Sequence, residues 1–274
     1  MSALDIVALL AEMEAEEQRK SQAFANALAS YSAPPSGAFF PPPEIALNLF
    51  GNFANKTTLP ALPAVKRRVF YSFHYADIIR VNNVRNTERF KAKILEVPQS
   101  HYDRSLWESS KCTSPENLKR LIREGIENTS VVCVLIGTYT WARPWVRHEI
   151  ARSVIDQKGL LAVDLNSIRH HHYRCSHPLG PNPLSFMAVG KMQDGTYRLF
   201  ERNYRVMNGQ WQWCWDFYGG YTAAVPLPKY LPNPAVGYVS PLDLGTFRYD
   251  ACQNNVWENM PIWLNIAATR AGRD

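Results

Sequence analysis

The chain has 274 residues, 46% apolar and 20% charged, which is enough apolar material for a packed core and argues against global disorder. The net charge of +6 is uneven: residues 1–65 carry three basic against six acidic side chains, and the remainder carries 27 against 18. A basic body fits an anionic ligand such as a nucleotide, and equally an ordinary solvated surface. No run of eighteen apolar residues exists and Met1–Lys20 is acidic, so neither a membrane span nor a signal peptide is expected. The five cysteines are odd in number, scattered and without a CxxC, which points to a reducing, cytoplasmic setting and away from disulfides or structural zinc.

In chain order, Ser2–Ser30 has helical composition, with Leu4, Val7 and Leu10 at helical spacing. The proline-rich stretches Ala33–Pro43 and Pro60–Pro63 read as linkers or surface-hugging arms. Residues 1–66 are therefore expected to form an N-terminal helix and proline-rich arm. The character changes at Lys66. Val69–Phe73 predicts a strand, Asn86–Glu96 a helix ended by Pro98, and Ser114-Pro115-Glu116 the start of a second helix. Val131–Ile136 is an unbroken apolar run, the pattern of a strand buried on both faces. A third helix is expected over Arg143–Gln157 and another strand over Leu160–Leu165. This alternation predicts an α/β fold, a flavodoxin-like doubly wound parallel sheet, over residues 67–187. Ligands of such sheets bind beyond the carboxyl ends of the strands.

From Ala188 to residue 274 the sequence is rich in Trp, Tyr and Pro. It predicts short strands and a final helix near Asn255–Ala268, an aromatic-rich elaboration packed on the α/β domain. Trp211, Trp213 and Trp215 alternate like one face of a strand, suited to packing or to a protein interface more than to stacking on a base. No recognisable nucleic-acid motif is present. His170-His171-His172 with Cys175 and His177 look like metal ligands, but consecutive histidines do not converge and no carboxylate completes a site, so a solvated loop is expected.

The third helix opens Trp145-Val146-Arg147-His148-Glu149. Trp145 and Glu149 are four apart and share a face. A carboxylate near a helix N-terminus tends to stay ionised, and beside an aromatic wall it suits ribose hydroxyls and a cationic ribosyl transition state. The same five residues also fit the polar side of an ordinary amphipathic helix.

Several segments in order, Arg67–Tyr75, Arg80–Asn86, Asp103–Glu108, Asn128–Ser130, Val134–Gly137, Trp145–Ile150 and Gly180–Pro183, resemble the ThsB-type TIR-like proteins of bacterial Thoeris anti-phage defence. The resemblance covers about 120 residues; residues 1–66 have no counterpart in it, the His-rich loop departs from it and the tail beyond about Ala188 matches only loosely. It implies a TIR-like fold and an enzyme that breaks the nicotinamide–ribose bond of NAD and makes a cyclic ADP-ribose isomer for a separate effector. NAD is then substrate, and no cofactor or metal is implied. Glu149 takes the catalytic position of the Trp-x-x-x-Glu helix. Phe73, His74 and Tyr75 would line the pocket, Arg85 or Arg80 would neutralise the diphosphate, and Asn86 and Asn182 would bond sugar or base. TIR domains act in assemblies, so a homo-oligomer and a phage-derived trigger are expected. The alternative is a TIR-like adaptor that binds nucleotide or self-assembles without turnover.

Overall fold

The computed structural model describes residues 67–91, 115–169, 175–207, 210–219, 221 and 223–273. The expectations for residues 1–66, for the helix end at Glu96 with Pro98, for Asp103–Glu108 and Ser114, for Trp211's side chain, and for His170–His172 lie outside the described residues.

Four parallel strands form the first sheet: β1 (Val69–Phe73), β2 (Val131–Ile136), β3 (Gly159–Asp164) and β8 (Phe247–Asp250), in the order β1-β2-β3-β8. Val69 faces Val131, Val131 faces Gly159, and Leu161 faces Phe247. All six residues of β2 are buried, as an apolar strand flanked on both sides requires. Period-two alternation divides its side chains between two cores. Val132, Val134 and Ile136 join Phe70, Leu160 and Ala162 under α2 (Pro115–Glu127) and α3 (Pro144–Ile155), through Ile122, Ile126, Ile150 and Val154. Val131, Cys133 and Leu135 join Tyr71, Leu161 and Val163 under α1 (Ile78–Lys91) and α4 (Val256–Arg270), through Val81, Val84, Val256 and Leu264. Helices on both faces of a parallel sheet make the doubly wound arrangement read from the sequence.

One element starts earlier than expected. The helix read over Asn86–Glu96 begins at Ile78, directly after a 3-10 turn over Tyr75–Asp77. Ile78, Ile79, Val81 and the two asparagines that follow are weak helix formers, which hid the start. Burial of Val81 and Val84, three apart on one face, outweighs that propensity.

A second, antiparallel sheet has the order β6-β5-β4-β7, from β4 (Met187–Lys191), β5 (Tyr197–Met207), β6 (Gln210–Phe217) and β7 (Val239–Pro241). Met187, Val189 and Leu199 continue the core beneath α3. On β6, Trp213 and Trp215 share a face with residues of β5: Trp213 lies 5.1 Å from Tyr204 and edge-on to Phe186 at 5.3 Å, and the Arg202 guanidinium covers Trp213 and Trp215. The chain then returns to the first sheet. β8 pairs with β3, where Arg248 donates to both oxygens of Asp164 at 2.8 and 2.9 Å, and α4 packs so tightly on β3 that a Cβ at Gly159 would stand 2.6 Å from the Ala267 carbonyl oxygen. No helix among the described residues is long and apolar enough to cross a membrane.

Candidate active site

β1 and β2 end side by side, at Phe73 and Ile136, and their carboxyl ends open toward the start of α3. Arg143 is the extended residue before that helix and Pro144 its first residue, where a missing N–H is no loss. Glu149 lies in the second turn, only 7% exposed. Ser72, the one serine of β1, donates from Oγ to Glu149 Oε2 at 2.5 Å. The carboxyl is thus fixed between a strand and a helix that differ by 77 positions in sequence.

Burial works against the ionised state expected from the helix N-terminus. Burial raises the Glu149 carboxyl from 4.5 to about 8, and the Ser72 hydrogen bond opposes the shift only in part. A carboxylate cut off from water favours its neutral form, and the helix dipole weakens beyond the first turn. Burial therefore favours the protonated acid, hydrogen-bonded to Ser72.

The other sequence-predicted residues are placed as follows, Phe73 and His74 at the end of β1 and the rest on neighbouring elements. Phe73 closes β1, half-buried against the second core. His74 caps the 3-10 turn, its Nδ1 accepting from the Ala76 N–H at 3.4 Å, and its basicity falls to about 4 through burial and the nearby Arg143 charge. Tyr75 is 40% exposed. Arg85 is half-buried on α1, and the side chain of Asn86 lies outside the described residues. Trp145 is half-buried in the first turn of α3, packed on the first core and edge-on to His148 at 6.1 Å. Asn182 spends its carbonyl oxygen as a cap, accepting from the Leu184 N–H at 3.1 Å at the start of the 3-10 turn Pro183–Phe186.

Sequence reasoning passed over Ser72, Asp77 and Arg143. Asp77 is buried against Gly137 just past β2, where a Cβ would meet Asp77 Oδ2 at 1.8 Å, and it pairs with Arg80 at 2.9 Å. The signals were a lone serine in an apolar strand and an Asp-x-x-Arg spacing across a helix start, both too common to single out. Across the same strand end, Thr138 Oγ1 donates to the Pro178 carbonyl at 2.8 Å, and Gly180 packs on the Gly137 carbonyl.

Two comparisons bear on this site. The family model described as "Thoeris protein ThsB, TIR-like domain" matches residues 70–170, which hold all but the first residue of β1, all of β2 and β3, and Ser72 and Glu149. A curated protein of Bacillus cereus (strain MSX-D12), named "Putative cyclic ADP-D-ribose synthase ThsB1", is 38% identical over 148 residues. That alignment spans 53% of this chain and 74% of the relative.

Proposed function

This chain belongs to the Thoeris ThsB family of TIR-like proteins, and we propose that it cleaves the nicotinamide–ribose bond of NAD at Glu149 and closes the ADP-ribose product into a cyclic signal read by a separate effector. The observation that carries this reading is the position of Glu149: nearly sealed from water, hydrogen-bonded to Ser72, at the ligand-binding edge of a parallel sheet. The name of the Bacillus cereus relative supports the same chemistry.

The physical steps follow from the site. The ribosyl bond of NAD joins a cationic pyridinium nitrogen. Such a charge beside Glu149 favours the carboxylate and brings its acidity back toward the ordinary range. Nicotinamide then leaves with the bonding electron pair and becomes neutral, while the ribosyl carbon gains positive charge that the carboxylate stabilises. An internal hydroxyl of the same molecule attacks that carbon, and its proton passes to Glu149. Water in the pocket would give open ADP-ribose instead, so a site that excludes water favours the ring. Assembly of several copies, set off by a phage-derived trigger, opens access to Glu149, which is buried in this structure.

The test is nicotinamide release from NAD by the full-length protein in extract of phage-infected cells. Release by the wild type and none by Glu149→Gln is the expected result. NAD binding with no release by either protein would support the adaptor reading in its place.

A further inference from the structure

The tryptophan-rich strand β6 has no part in the site at Glu149, and strand pairing gives it neighbours that sequence order hides. Residues directly opposite on antiparallel strands point to one side of the sheet. Phe200 pairs with Phe217, Arg202 with Trp215 and Tyr204 with Trp213, and Arg198 pairs with Gly190 of β4. One side of the antiparallel sheet therefore carries these aromatic rings and two arginines. The acidic residues of β5 and β6 point to the other side, where Glu201 reaches Arg147 of α3 and Asp216 pairs with Arg205 at 2.7 Å.

The aromatic side meets solvent. Phe217 is 55% exposed and Tyr204 37%, while Trp213, Trp215 and Arg202 are half-buried. Phe217 stacks on Phe200 with ring centroids 4.8 Å apart, which leaves its other face to solvent. Arg202 lies over Trp213 at 5.3 Å and over Trp215 at 5.9 Å. A guanidinium resting on rings uses its flat face there, and the N–H donors in its plane remain for an acceptor. A carboxylate whose charge reaches Arg202 is that of Asp243, which stands off the sheet in the 3-10 turn Leu242–Leu244 and accepts from its own N–H and that of Leu244.

We propose that this side of the antiparallel sheet is a binding face for single-stranded nucleic acid, on which Phe217 and Trp215 stack bases and Arg202 bonds phosphate. Flat rings beside arginines, with the acids turned away, match a polymer of flat bases on an anionic chain. Residues two apart on a strand stand about 7 Å apart. That is twice the rise of about 3.4 Å between stacked bases, so Trp215 and Phe217 each take a separate base. The bases of a duplex stack on one another and cannot meet these rings. Residues 66–274 carry 27 basic against 18 acidic side chains, which draws a polyanion to this body. From the sequence alone the alternating tryptophans suit packing or a protein interface better. The arginines that pairing with β5 sets beside them favour an anionic ligand, since an apolar protein surface matches the rings and not the one-signed charge. The inference does not use the NAD reading.

Fluorescence anisotropy on the full-length chain tests this with labelled oligothymidylate and oligouridylate of about 15 nucleotides, and with the thymidylate in a duplex. The single strands should bind saturably, less tightly as salt rises, and about tenfold or more tighter than the duplex. Phe217→Ala changes no charge and should lower the affinity about fivefold or more. Arg202→Met should lower it about tenfold. Lys119→Met, which takes the same charge from the exposed side of α2, should leave it nearly unchanged. Circular dichroism melting checks that each variant is folded, and Phe217→Ala keeps the test decisive should Arg202→Met not fold. Tighter binding of the uridylate would identify RNA as the ligand and tighter binding of the thymidylate DNA; either sustains the face. No saturable binding of either strand, equal affinity for the duplex, undiminished binding by folded Phe217→Ala, or a loss in Lys119→Met equal to that in Arg202→Met would each overturn the proposal. The first result would leave the face to a protein partner, and the others would reduce the binding to general attraction by a basic surface.

Discussion

Between pH 4.5 and about 8 the Glu149 carboxyl is ionised in the unfolded chain and protonated in the folded one. The folded state then binds one more proton, so its stability declines as pH rises through this window. The contribution of the neutral, buried carboxyl is intact below pH 4.5 and lost by about pH 8. Gln has the same size and no charge. Glu149→Gln is therefore expected to match the wild type in thermal melting near pH 4 and to become progressively more stable than it up to pH 8. Parallel melting curves across that range would show that Glu149 is not held neutral by the fold. A second prediction concerns Ser72, a positioning residue whose hydrogen bond favours the ionised carboxylate. Ser72→Ala should lower the rate of NAD cleavage by about tenfold or more, and shift the rising limb of the pH–rate profile to higher pH. A drop in rate with an unmoved profile would assign Ser72 to packing alone. The helix over Pro144–Ile155, with Trp145 and Glu149 four apart on it, was legible in the sequence. The burial of Glu149 was not, because it comes from the tertiary closure of β1 against α3, and that burial pushes its carboxyl upward where helix position argues for the anion.

The helix that carries Glu149 is clamped from both sides. Beneath it lies the parallel sheet; beyond it, Arg147 reaches Glu201 of β5 at 3.4 Å and His148 Nδ1 meets the Tyr218 hydroxyl at 3.3 Å. Two residues adjoining Glu149 in sequence thus tie α3 to the antiparallel sheet. Tyr218→Phe removes one tie and little volume, and should lower the cleavage rate several-fold at near-unchanged melting temperature, read by kinetics beside calorimetry. On the opposite face, Gly159→Ala places a methyl 2.6 Å from the Ala267 carbonyl, a backbone atom that moves only if α4 moves. Overpacking of this kind costs about 1–3 kcal/mol, so this variant should melt lower than the wild type. Trp263, stacked on Tyr249 at 3.9 Å, gives a fluorescence readout of any shift in α4. Strands β1, β2 and β3 were readable because their apolar runs are continuous. The start of α1 was not, because Ile78, Ile79 and the asparagines at 82 and 83 carry no helical preference. The fourth parallel strand was hidden for another reason: Phe247–Asp250 is short and half-buried, and nothing local in it records a partner 86 residues earlier, as in the pairing of Leu161 with Phe247.

Among the described residues, both hydrophobic cores are built from positions 69–271. A chain beginning at residue 65 should therefore melt cooperatively, with a circular dichroism transition near that of the full-length protein. If residues 1–64 govern assembly, the same truncation should alter the mass observed by light scattering, or the response to infection, while leaving the fold in place. A truncated chain that does not fold would make residues 1–64 a brace for the α/β domain. The acidic character of that arm against a basic body was plain in the sequence, and charge alone does not say which surface, if any, it meets.

Nucleotide mass spectrometry of phage-infected cells tests the central assignment most directly, since infection itself supplies the trigger, whatever its chemical nature. Cells carrying the wild-type protein should lose NAD after infection and accumulate a cyclic ADP-ribose isomer together with nicotinamide, and cells carrying Glu149→Gln at equal abundance should do neither. NAD loss and cyclic product in the Glu149→Gln cells, equal to the wild type, would contradict the account and place the chemistry on another residue.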